Sequence, residues 1–174
     1  MLAEDIYHTI AGPSEGLYKE KGSKFLAYAW PVESEEAIKE HVSELKTRYY
    51  DARHHCYAWQ LGTDGMNFRA NDDGEPSGTA GKPILGQINS NELTDILVIV
   101  VRYFGGIKLG TSGLIVAYRE AAAEAIAEAT IIEKTVDMQT SFIFEYPFMN
   151  DVIKIVKDKE PRIINQQFDM DCQM

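Results

Sequence analysis

The run Arg102-Tyr-Phe-Gly-Gly-Ile-Lys-Leu-Gly-Thr-Ser-Gly113 gathers the residues best suited to hold an anion. Arg102 and Lys108 bring full positive charges. Gly110-Thr111-Ser112-Gly113 leads into an alanine-rich segment of helical period, so free N–H groups and the positive end of a helix dipole gather there. The run only partly imitates a nucleotide-binding P-loop, because Thr111 stands where a lysine should follow Gly110. A second run, Asn71-Asp-Asp-Gly-Glu-Pro-Ser-Gly-Thr-Ala-Gly-Lys-Pro83, is too rich in glycine, proline and carboxylates to continue a strand or helix. Its Asp72, Asp73 and Glu75 have the chemistry to bind Mg²⁺ or a basic partner. Residue chemistry alone favours an Asp-Gly turn with solvated carboxylates, since the alternating acidic spacing of a calcium loop is missing. His54, His55 and Cys56 invite a zinc reading. A strand sends His54 and Cys56 to one face and His55 to the other, which is too few converging ligands, and packing at a sheet face is the favoured reading. No metal and no cofactor is expected, and no nucleophile, base and orienting group can be assembled into a catalytic set.

These residues need elements to position them. Ile96 to Val101 is an unbroken, β-branched apolar run, the pattern of a strand buried on both faces, which Gly105 and Gly106 end. Leu114 to about Ala129 follows as the longest helix, with Leu114, Tyr118, Ala121, Ala122, Ala125 and Ala129 on one side. Glu120, Glu124 and Glu128 at i, i+4 spacing mark its solvated side. Upstream, Asp5 to Ala11 is a strand, and Leu17 to Glu20 and Lys24 to Trp30 pair around Lys21-Gly22. Ser34 caps a helix to about Tyr49. His54 to Leu61 alternates as a strand, followed by a short one through Phe68 and Ala70. Pro83 starts a helix reaching about Ile88. Downstream, Ile131 to Thr135 is a connector and Val136 to Tyr146 an alternating strand. A short helix with Phe148, Val152, Ile155 and Val156 on one face is stopped by Pro161, and Arg162 to Phe168 is a last strand.

With 174 residues, 45% of them apolar, the chain suits one large domain or one domain plus a small second one. No window approaches the roughly 18 apolar residues of a membrane span, and Met1-Leu-Ala-Glu-Asp5 lacks the charge and apolar core of a signal peptide. Two distant cysteines, Cys56 and Cys172, suit a reducing cytoplasm. A net charge of −10 excludes a dedicated duplex-DNA binder and leaves RNA contact to a local basic patch.

Three stretches, Ala52-Arg-His-His-Cys-Tyr-Ala58, Asp72 to Pro83 and Val101 to Gly110, together with Gly22-Ser-Lys-Phe25, resemble the signatures of the YigZ/IMPACT family in order and spacing. The resemblance implies an α+β chain. Residues 1–134 would form a domain like ribosomal protein S5 domain 2, a sheet with helices on one face. Residues 135–174 would form an incomplete ferredoxin-like domain like the last domain of elongation factor G, from a fragment or a shortened member. It also implies a non-enzymatic, translation-linked regulatory role, with the ribosome, RNA or a translation-associated protein as partner. The expected contact surface is Asp72, Asp73, Glu75, Ser77, Thr79 and Lys82 from one loop, with Arg102, Tyr103, Gly105, Gly106, Lys108, Gly110, Thr111 and Ser112 from the other. The alternative is a phosphate- or nucleotide-binding enzyme using Gly105 to Gly113. An apolar strip in the C-terminal segment, including Met138, Phe142 and Phe144, further implies one of two outcomes, pairing with a second copy or a C-terminal segment more mobile than the rest.

Overall fold

A computed structural model describes residues 6–168 and the backbone of residues 172 and 173. The expected strand start at Asp5, the N-terminal pentapeptide and the side chain of Cys172 lie outside the described residues. The chain forms two compact units, Met1–Val136 and Asp137–Met174.

The first unit is built on a five-stranded antiparallel sheet of β2 (Ser14–Glu20), β3 (Ser23–Pro31), β6 (Ile96–Tyr103), β4 (His54–Leu61) and β5 (Asn67–Asn71), in that spatial order. β6 is central, and every residue from Ile96 to Val101 is fully buried, as its composition demands. Its side chains alternate. Ile96, Val98 and Val100 enter one core with Phe25, Cys56 and Ala58, whereas Leu97, Ile99 and Val101 enter a second with Trp59, Ile38 and Leu45. Each such aliphatic contributes about 1.5–3 kcal/mol relative to exposure. Helices therefore cover both faces. α2 (Gly81–Ser90) and α3 (Gly110–Glu128) share one, and α1 (Glu35–Arg48) covers the other, where the resemblance implied helices on one face only.

Ser34 caps α1 as expected, its Oγ accepting from the Ala37 N–H at 3.2 Å. Lys21 and Gly22 make the two-residue turn between β2 and β3 with φ of 47° and 79°. α3 buries Tyr118, Ala121, Ala122 and Ala125 completely, while Glu124 and Glu128 are exposed. The small side chains let the helix approach β2 so closely that a Cβ on Gly16 would stand 2.4 Å from the Ala125 nitrogen. Two helix starts fall earlier than expected. Gly110-Thr111-Ser112-Gly113 is itself the first turn of α3, and Pro83 is the third residue of α2 rather than its first. Ile131–Thr135 is no connector. It is β7, antiparallel to β1 (Ile6–Ile10), a pairing between strands more than a hundred residues apart that no local pattern announces.

The second unit contains β8 (Ile143–Phe144), a 3-10 turn at Tyr146–Phe148, α4 (Met149–Lys159), β9 (Gln167–Phe168) and β10 (Cys172–Gln173). α4 ends at Glu160, which takes a left-handed conformation before Pro161. β10 lies between β8 and β9 and runs antiparallel to both, the arrangement of the first half of a ferredoxin-like unit. The expected long strands, Val136 to Tyr146 and Arg162 to Phe168, shrink to two paired residues each. Alternation makes strand only where a partner edge runs alongside, and among the described residues β10 offers a two-residue edge. Among the described residues, no helix is long and apolar enough to cross a membrane.

Candidate functional site

The Asp72-Asp-Gly-Glu75 segment is a tight turn. Asp73 and Gly74 have φ of 39° and 86°, and the Glu75 N–H donates to the Asp72 carbonyl at 2.9 Å. Two successive positive φ values are why an Asp-Gly pair sits here. The Asp72 carboxylate accepts from the N–H groups of Gly78, Ala80 and Gly81 at 2.8, 3.1 and 2.8 Å. It thus closes the loop and caps α2 in place of Ala80, which has no side chain for the task. Burial opposes its ionisation, but the three backbone donors prevail and hold Asp72 below its ordinary value of 3.8. Asp73 accepts from the His55 N–H at 2.7 Å and pairs with Lys46 at 3.2 Å.

The turn aims Glu75 inward, so the expectation of solvated carboxylates is overturned at this residue. The Glu75 side chain is only 4% exposed and accepts from Arg102 Nη1 at 2.5 Å and from the Tyr118 hydroxyl at 2.7 Å. Burying a carboxylate at such a site requires this pairing. Cys56 Sγ lies 3.0 Å from the Asp72 carbonyl and 3.4 Å from the Tyr118 hydroxyl. Burial raises both the Cys56 thiol and the Tyr118 phenol well above their ordinary values. His54 Nδ1 is 2.9 Å from the Asp73 carbonyl. A carbonyl only accepts, so Nδ1 carries the proton and Nε2 faces Glu75 Oε2 at 4.0 Å. As expected, β4 sends His55 the other way, where its Nε2 donates to the Tyr49 carbonyl at 3.0 Å.

This buried cluster floors a cavity of about 830 Å³ that brings the two glycine-rich loops together. Of the expected surface residues, Glu75, Arg102, Tyr103, Lys108, Gly110 and Thr111 line it. The others have different places. Asp72 and Asp73 build the turn, and the Thr79 hydroxyl donates to the Pro76 carbonyl at 2.6 Å. Ser77 is exposed on the same loop, Lys82 is exposed in the first turn of α2, and Ser112 is exposed in the first turn of α3. Gly106 has a positive φ of 91°. Gly105 packs against the β2–β3 turn, where a Cβ would fall 2.0 Å from the Gly22 carbonyl carbon. Sequence reasoning missed Asp51, Arg53, His54 and Phe104 as lining residues. Arg53, His54 and Phe104 sit inside recognised motifs, but which of their side chains face the cavity depends on strand and loop geometry. The Tyr103 hydroxyl donates to Asp51 at 2.7 Å, and desolvation followed by that hydrogen bond pushes Tyr103 up to about 12.

The model of the Impact N-terminal domain matches residues 21–126, which include the whole of this site. The chain is 35% identical over 160 residues to IMPACT family member YigZ of Escherichia coli, covering 91% of this chain and 78% of that protein. It is 37% identical over 128 residues to IMPACT family member YvyE of Bacillus subtilis, covering 74% of this chain and 59% of that protein. A solved crystal structure of a hypothetical protein superposes with a TM-score of 0.80 at 33% identity, over 97% of this chain and 83% of the other.

Proposed function

Because this chain belongs to the IMPACT family, we propose that it is a non-enzymatic, translation-linked regulatory protein of the cytoplasm that contacts the ribosome through the cavity above Glu75 and Arg102. One observation carries the reading: the loops bearing all three recognised motifs converge on a single open cavity. Arg53 and Lys108 are exposed at it, so a cationic patch stands out from a body whose net charge is −10. The chemistry underneath favours binding over catalysis. Glu75 is held by Arg102 and Tyr118, and the thiol of Cys56 is fully buried, which pushes it above its ordinary value.

The test is co-sedimentation with purified ribosomes. Lys108→Glu, at an exposed position, should weaken co-sedimentation while leaving the melting temperature unchanged. Lys19→Glu, an equal charge change on the exposed side of β2, should leave it intact. Undiminished co-sedimentation of Lys108→Glu would remove the cavity rim from any such contact.

A further inference from the structure

We propose that the cavity binds a 5′-nucleotide, its phosphate at the first turn of α3 beside Lys108 and its base against Phe104. The inference rests on the reading of this cavity as a contact surface and names a small ligand for it. α3 is 19 residues long, and its N-cap, Leu109, supplies no side-chain hydrogen bond to the free N–H groups. Gly110 and Thr111, at that turn, line the cavity and are exposed. Free donors at the positive end of a long helix attract an anion.

A second, independent observation lies in Arg102. The residue lines the cavity yet is only 8% exposed, and its Nε is buried without a hydrogen-bond partner among the described residues. Nη1 is occupied by Glu75, which cancels one charge but leaves the remaining guanidinium donors unspent. Nε has no surface of its own, so a ligand oxygen would meet the guanidinium at Nη2, which has no hydrogen-bond partner among the described residues. Three cationic side chains, Arg53, Arg102 and Lys108, meet two carboxylates, Asp51 and Glu75, in the lining, so the cavity is net positive within an acidic chain.

The cavity also has an apolar side. Phe104 is exposed, and its ring stands 5.7 Å from the Arg102 guanidinium carbon. A planar aromatic surface next to an anion-binding turn suits an aromatic phosphate ester better than inorganic phosphate alone. The volume lies in the range of about 300–1,000 Å³ usual for small-ligand sites.

The experiment is an amide NMR titration of the whole chain with 5′-AMP, inorganic phosphate and adenosine. AMP should bind most tightly, phosphate more weakly and adenosine most weakly, with shifts centred on Gly110, Thr111 and Ser112. Lys108→Ala should weaken AMP about two- to fivefold, the size of one charge contact at an exposed position. Thr111→Pro, tolerated in a first helical turn, should weaken it as well by deleting a donor, and an unchanged melting temperature would show that both variants fold. No shift with millimolar AMP, or equal binding of AMP and adenosine, would overturn the proposal. If AMP fails while Lys108→Glu still loses ribosomes, only the ligand falls. If AMP binds and ribosome association is indifferent to Lys108, only the contact surface falls.

Discussion

Glu75 shows how a single residue in an unpromising loop can hold a site. It joins β6 through Arg102 to α3 through Tyr118, and both bonds are buried. Glu75→Ala leaves Arg102 charged and without its carboxylate, and should cost about 3–5 kcal/mol of stability in urea unfolding. A loss under about 1 kcal/mol would mean that the pair contributes little. Asp72 makes a different prediction, in pH. Its folded value lies below the ordinary 3.8, so its contribution is complete above that pH and fades as pH falls through the lowered value. Melting temperature should therefore drop on acidification below pH 4. Asp72→Asn should be less stable at neutral pH and flatter in acid, and parallel acid profiles for the two proteins would refute the capping role. Neither carboxylate's task was legible in the sequence. Asp-Gly marks a turn, but only the positions of β6 and α3 decide that Glu75 points inward.

Glycine contrasts are clearest at the level of elements. Gly105 ends β6 in backbone contact with Gly22 and Ser23, so Gly105→Ala must push two loops apart and should destabilise by about 1–3 kcal/mol. Gly86 sits exposed within α2 with open space around it, and Gly86→Ala should stabilise by about 0.5–1 kcal/mol. Thermal denaturation of the pair reads both signs, and the same sign in both would contradict the packing described. The central strand and longest helix were readable because β6 is apolar on both faces and α3 carries its small residues on one. Helix starts were not, since Asp72 caps α2 from eight and nine residues away. β7 escaped notice because its partner is β1, and the long strands expected after Val136 find, among the described residues, only the two-residue β10 to pair with.

As a whole molecule, the chain combines a well-packed first unit with a second that leaves Met138, Ile143, Ile155 and Phe168 exposed. Apolar side chains so displayed favour self-association, and sedimentation equilibrium should show a concentration-dependent dimer that Ile143→Lys abolishes. A strict monomer across micromolar concentrations would contradict this. The three motifs pointed to the two loops that meet, whereas the cavity they enclose depends on tertiary geometry and was beyond the reach of any sequence pattern. The central claim is that this cavity is the face turned toward the translation machinery. It is tested most directly by placing a photo-crosslinking amino acid at Phe104 and, as a control, at Met66, both exposed, and irradiating each with ribosomes. Crosslinks to a ribosomal component from position 104 and not from 66 are the predicted result. Crosslinks from 66 alone, or equal yields from both, would contradict it.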